Sequence, residues 1–125
     1  MIGVDLVSIP RIERLLKRFG KNALMRFLHP SEIDLAQNPA TTAGFWAAKE
    51  AFSKAIGTGI GKECSFFDIL IYKDDLGSPH IKVSKNLAKK FEIKDISLSI
   101  THDANLAIAV VAIEHKEKKK EITFN

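Results

Sequence analysis

Apolar positions change period several times along the chain. Residues 1–7 form a short, β-branched run interrupted only by Asp5, which predicts a strand. Ile9, Ile12, Leu15, Leu16 and Phe19 then recur at helical spacing. Pro10 falls in the first turn, where a missing N–H costs nothing, and Gly20 marks the stop. Residues 22–28 predict a second short helical stretch, broken by His29-Pro30. Ser31 is expected to cap a further helix to about Gln37, with Asp34 completing a capping box, and Asn38-Pro39 to end it. The next helix, capped by Thr41 or Thr42, gathers Phe45, Ala48, Phe52, Ala55 and Ile56 on one face. Gly57-Thr58-Gly59-Ile60-Gly61 follows it directly. Residues 66–72 and 80–83 predict a hairpin around the turn at 74–79. Ser84 caps a helix through about Phe91. Ile96, Leu98 and Ile100 alternate with Ser97, Ser99 and Thr101 as a half-buried strand. After a turn at 102–105, residues 106–114 are apolar on both faces and are expected to be central. The order predicts an α+β fold, a mostly antiparallel sheet with helices packed on one face. Residues 1–114 form one domain in this reading, and 115–125 a charged tail expected to lack order. No internal repeat or interdomain linker is apparent.

Composition narrows the class. The chain has 125 residues, 46% of them hydrophobic and 27% charged, which suits one globular domain and excludes disordered, collagen-like and disulfide-scaffold classes. Cys64 is the only cysteine, so no intrachain disulfide forms. The longest apolar run, residues 106–113, is far below the roughly 20 residues of a membrane span. No basic segment precedes an N-terminal apolar stretch, so no signal peptide is expected and a cytoplasmic location is. The net charge of +4 is uneven. Residues 11–26 carry +5, the tail from Lys116 carries +2, and the remainder is −3. One concentrated basic helix on a slightly acidic body points to an acidic protein partner rather than to nucleic acid or membrane.

Several constellations carry candidate chemistry. Glu50 and Lys54 lie one helical turn apart, opposite the apolar face. Such a pair is usually a solvated ion pair, but Ala47 and Ala51 leave room beside it and Trp46 offers an aromatic face. Gly57, Gly59 and Gly61 allow successive N–H groups to converge on an anion, although a simple helix cap is the commoner outcome. The negative end of a helix dipole opposes an anion there, so Lys54 and Lys62 would have to assist. The pattern is not a Walker loop. Asp5, within an apolar strand, either reaches solvent or serves with Glu50 as a ligand for a hard cation, which is typically held by one or two carboxylates plus substrate phosphates. His102 lies at a turn beside Asp103; with Ser99 it has the letters of a hydrolytic triad but no nucleophile elbow.

Taken together, these segments resemble the bacterial holo-[acyl-carrier-protein] synthases. Gly3-Val4-Asp5-Leu6-Val7 followed by Arg11-Ile12 is similar to the family opening G-x-D-[IL]-x(5)-R-[IV]. Residues 46–59, WAAKEAFSKAIGTG, are similar to its W/F-A-x-K-E-A-x-x-K-A-x-G-T-G signature. Gly77-x-Pro79 and Ser99-Ile100-Thr101-His102 match two shorter motifs in the family's order, and the likeness covers nearly all of residues 1–114.

The resemblance implies the 4′-phosphopantetheinyl transferase fold and transfer of phosphopantetheine from coenzyme A to a serine of apo acyl carrier protein, in support of fatty acid biosynthesis. It implies Mg²⁺ held by Asp5 and Glu50, with Lys54 completing the catalytic group. It also implies a homotrimer with active sites at subunit interfaces. Lys54 neutralises charge on the leaving phosphate in this reading, and Glu50, directly or through a water, is the first candidate for the base. Lys49, Lys54, Gly57, Thr58, Gly59, Pro79 and His102 are the candidate coenzyme A contacts, and Arg11, Arg14, Arg18 and Arg26 the carrier-protein docking residues. Phe45 and Ser78 depart from the family, standing where many members carry a basic residue. Two rival readings use the same residues: a small basic nucleic-acid-binding module, and a metal-dependent phosphohydrolase.

Overall fold

In the computed structural model, which describes residues 1–116 and 121–125, the opening run is strand β1 (Ile2–Ser8). Gly3, Asp5 and Val7 turn to one face and Ile2, Val4 and Leu6 to the other. Ser8 caps α1 (Ile9–Phe19), its Oγ accepting the Arg11 N–H at 3.4 Å, and Gly20 ends it at φ +59°. The stretch predicted at 22–28 is helical only in α2 (Lys21–Leu24).

Two helix starts differ from expectation for one reason. His29, not Ser31, precedes α3 (Pro30–Leu35), and its N–H donates to Glu32 Oε1 at 2.6 Å. Asn38, not Thr41 or Thr42, caps α4 (Pro39–Ala55), its Oδ1 accepting the Thr41 N–H at 2.9 Å. In both cases proline occupies the first turn, where its fixed φ suits the helix. The prolines that read as breakers therefore begin the following helices.

A 3₁₀ turn (Phe66–Asp68) precedes β2 (Ile69–Lys73), which is consequently shorter than predicted. β3 (Pro79–Val83) completes the hairpin, and Ser84 caps α5 (Lys85–Lys90) as expected. β4 (Ile93–Asp103) and β5 (Leu106–His115) form the last hairpin, which includes His115 in the domain. Of the predicted tail, residues 117–120 lie outside the described residues, and 121–125 are exposed.

β5 is central in an antiparallel sheet of order β1-β5-β4, and β2-β3 is a separate two-stranded sheet. Only one face of β5 is covered within the chain. Ala107, Ala109, Val111 and Ile113 are buried beneath α4, whereas Leu106 and Val110 are about two-fifths exposed on the other side. Ile2, Val4 and Leu6 of β1 continue that exposed apolar face; the outward residues of β4, Ser97, Ser99 and Thr101, are polar.

α4 crosses the covered face. Small residues let it approach closely: Ala47, Ala48, Ala51 and Ala55 are all buried against the sheet and core. Its last turns lie over Gly3 of β1, and Gly44 near its start meets Ile100 of β4. Phe45 is in the core, so the first departure from the family pattern presents no side chain to a phosphate. Cys64 is also fully buried, and desolvation pushes its thiol up to about 11, which makes it inert. Among the described residues, no helix is long and apolar enough to cross a membrane.

Candidate active site

Asp5 is placed by strand parity. It shares the α4-facing side of β1 with Gly3 and Val7, which bury themselves against the helix. α4 presents Glu50 and Lys54 there, on the one stripe of its later turns that is not buried. Lys54 Nζ donates to Asp5 Oδ1 at 2.8 Å and to the Val4 carbonyl at 3.4 Å. Asp5 raises the proton affinity of Lys54, first through that hydrogen bond and then through its charge. Burial is the main cause that raises the pKa of Glu50; the negative charge of Asp5 adds to it and Lys54 opposes it. Strand and helix therefore bring two carboxylates and one ammonium together, as the sequence reading expects.

Ala47 and Ala51 do not leave space for a ligand, because the sheet and core occupy it. Lys49 is not at the site either. Its side chain is fully buried on the opposite side of α4, donating to Glu32 Oε1 at 2.7 Å, the Phe27 carbonyl at 2.8 Å and the Phe66 carbonyl at 3.0 Å. With its three protons directed to three protein acceptors, Lys49 has no donor left for coenzyme A. Desolvation lowers its pKa against the opposing pull of Glu32.

The glycine segment is a helix terminus. The N–H of Gly57 donates to the Lys54 carbonyl, those of Thr58 and Gly59 to the Ser53 carbonyl, and that of Gly61 to Cys64. The first three donors satisfy the end of α4, the fourth closes the following loop, and the four do not converge on an open anion site. Positive φ at Gly57 (+85°) and Gly59 (+67°) makes that reversal possible. Thr58 Oγ1 likewise donates to the Gly59 carbonyl.

Pro79 opens β3, paired with Lys73, in a hairpin where Asp74 binds His80 at 2.8 Å. Ser78, the second departure, donates its N–H to Asp74 Oδ1. His102 is exposed on β4, in register with Ala107, whereas Asp5 pairs with Ala109 on the far side of β5. Two strand spacings, about 10 Å, thus separate the strands that carry His102 and Asp5 within one chain.

Arg11, Arg14, Arg18 and Arg26 are all exposed on the basic face of residues 11–26. Arg18 and Arg26 lie over the Phe19 ring at 5.0 and 5.8 Å. Beneath them is an apolar groove of about 300 Å³, lined by Val7, Ile12, Phe19, Phe27, Trp46 and Phe66, with Arg11 and Arg26 at its margin. Val7 and Trp46 stand two residues from Asp5 and one turn from Glu50, so the groove adjoins the charged cluster.

The donor set fits a hard divalent cation. Two hard oxygen donors converge, and the negative charge of Asp5 adds to burial in raising the pKa of Glu50. Among the described residues, no three or more His, Cys, Asp or Glu side chains form a cluster, so the remaining ligands would be phosphate and water oxygens. A strand Asp, a helix Glu and a Lys one turn later thus stand together beside a groove flanked by arginines.

Comparison with known proteins shows the family. Residues 1–111 match the model of the 4′-phosphopantetheinyl transferase superfamily. The holo-[acyl-carrier-protein] synthase of Sulfurimonas denitrificans is 54% identical over 120 residues, spanning 96% of this chain and 99% of that protein. That of Aliarcobacter butzleri is 57% identical over 118 residues, covering 94% and 100%. The Helicobacter pylori holo-[acyl-carrier-protein] synthase, solved in complex with coenzyme A, superimposes with a TM-score of 0.89 at 52% identity, covering 91% of this chain and all of that one. The chain belongs to the 4′-phosphopantetheinyl transferase superfamily and, within it, to the holo-[acyl-carrier-protein] synthase family.

Proposed function

We propose that this chain moves the 4′-phosphopantetheine arm of coenzyme A onto a serine of apo acyl carrier protein, releasing adenosine 3′,5′-bisphosphate and supplying holo carrier for fatty acid biosynthesis. The observation that carries the reading is the Asp5–Lys54–Glu50 cluster at the β1–α4 contact, in a chain so similar to a relative solved with coenzyme A. Asp5 and Glu50 hold Mg²⁺, which when bound supplies Lewis-acid polarisation of the pyrophosphate. Lys54, half exposed and already charged beside Asp5, neutralises the negative charge that grows on the leaving phosphate. The serine hydroxyl proton needs an acceptor, and Glu50, whose proton affinity burial raises, is the first candidate. Incubating the protein with coenzyme A, Mg²⁺ and apo acyl carrier protein should add one phosphopantetheine to the acceptor by mass spectrometry. Release of phosphopantetheine to water without modified acceptor would instead make it a phosphohydrolase.

The chain acts as a homotrimer in this reading. The uncovered face of β1 and β5 exposes Ile2, Val4, Leu6, Leu106 and Val110 side by side, more apolar surface than an isolated sheet face retains at no cost. His102, exposed on β4 two strands from Asp5, would serve the site of an adjoining subunit in this reading. The substitution Val110→Lys, which puts charge in the middle of that face, should shift the protein to monomer in sedimentation and reduce transfer. An unchanged trimer would remove this face from the interface.

The basic helix docks the acidic carrier. Arg14→Glu should raise the KM for apo acyl carrier protein by about tenfold, equivalent to about 1.4 kcal/mol, with the KM for coenzyme A nearly unchanged. Equal loss toward both substrates would contradict the docking role.

A further inference from the structure

Lys49 and Glu32 form a fully buried ion pair at the junction of five segments. Besides Lys49, Glu32 Oε1 accepts the His29 N–H at 2.6 Å, and its Oε2 accepts the Ile71 N–H at 2.8 Å. Lys49 in turn holds the carbonyls of Phe27 and Phe66. One buried hub thus ties α4 to the start of α3, the end of the α2 segment, the 3₁₀ turn and β2. A buried ion pair is a poor device for stability alone, because desolvation of two charges offsets most of their attraction. What it supplies is geometry.

The geometry it fixes is the groove wall. Phe27 and Phe66, the two residues whose carbonyls Lys49 grips, both line the groove, together with Trp46 one turn earlier on α4. Their rings form one cluster: Phe27 to Trp46 at 4.8 Å, Trp46 to Phe66 at 5.0 Å and Phe27 to Phe66 at 5.9 Å. The three rings come from three separate segments, and Lys49 is bonded to two of these segments while belonging to the third. An acidic partner laid across Arg11 and Arg26 must meet this groove.

We infer that Lys49 and Glu32 are positioning residues that set the aromatic wall against which the acyl carrier protein seats beside Asp5 and Glu50. This rests on the transferase reading above. The Glu32→Gln/Lys49→Met double variant removes both charges at nearly constant volume and leaves no unpaired buried charge. It is expected to raise the KM for apo acyl carrier protein by about tenfold while the KM for coenzyme A stays within about twofold. Trp46, the only tryptophan, should become more accessible to acrylamide quenching in the same variant. A folded double variant with unchanged acceptor KM and unchanged quenching overturns the inference. If that variant does not fold, Phe27→Leu disturbs the same wall with the hub intact and must raise the acceptor KM alone; an unaltered acceptor KM there overturns it equally. Absence of transfer by the wild-type protein would instead defeat the transferase reading itself.

Discussion

Glu50→Gln is expected to lower phosphopantetheine transfer by on the order of a hundredfold or more, with the fold intact. The two halves of that expectation have different causes. Glutamine keeps the shape of Glu50 but takes away a negative oxygen, so the paired hard donors become one and the candidate base is lost. Stability should not suffer, because Glu50 sits on the unburied stripe of α4 and Lys54, which it attracts, is also held by its hydrogen bond to Asp5. Burial and Asp5 raise the pKa of Glu50 in the folded chain, so at neutral pH its ionised form is less favourable folded than unfolded. Removing the charge removes that penalty, and the melting temperature should equal or exceed that of the wild type. Transfer is read from the mass of the carrier protein over time and stability from thermal unfolding by circular dichroism. A Glu50→Gln protein with wild-type rates would refute the assignment of Glu50 to metal binding and to proton abstraction together.

The elements that can be read from the sequence are those whose local chemistry and tertiary role coincide. β1, α1, α5 and β4 follow their patterns because period, cap and burial agree. The starts of α3 and α4 are harder, since His29-Pro30 and Asn38-Pro39 satisfy equally well the rule for ending a segment and the rule for beginning a helix. At the site, Asp5, Glu50 and Lys54 are legible because strand parity turns Asp5 toward α4 and the i, i+4 spacing sets Glu50 and Lys54 on one stripe of that helix. Lys49 is misread because a lysine beside Glu50 looks solvated. Only the tertiary fold reveals that it points the other way, onto a glutamate 17 residues earlier. Glu32 itself leaves no signal beyond its place three residues after His29, where a helix start welcomes a carboxylate. The glycine segment fails for a related reason: its N–H groups are free to bind an anion only if the end of α4 does not use them, and it does.

Gly3→Ala should be the most damaging single methyl group that can be added to this site. Gly3 does not adopt a positive φ, so its need for glycine is one of space rather than backbone freedom. A Cβ at Gly3 would stand 1.9 Å from the Ala51 carbonyl oxygen and 2.6 Å from the Ala55 nitrogen, both backbone atoms of α4. No rotamer change relieves a clash with helix backbone; the strand or the helix must move as a body. β1 cannot withdraw freely, because it is paired with β5 from Ile2 to Ser8. Overpacking of this kind costs about 3 kcal/mol or more, at the upper end of the usual range. The displacement also acts on chemistry. Gly3 and Asp5 are on the same face of one strand, so lifting the first from α4 carries the second away from Lys54 and Glu50. A misplacement of about 1 Å in a reacting constellation can cost on the order of a hundredfold in rate. Gly44→Ala is the milder comparison: its Cβ would meet the Ile100 Cγ2 methyl at 2.8 Å, a single side-chain contact rather than helix backbone. The Gly3 variant should therefore melt far lower and, in whatever fraction remains folded, transfer slowly, while the Gly44 variant loses about 1–2 kcal/mol and keeps its rate. Equal melting temperatures and equal rates for the two variants would mean that the tight contact between β1 and α4 does not hold the carboxylates together.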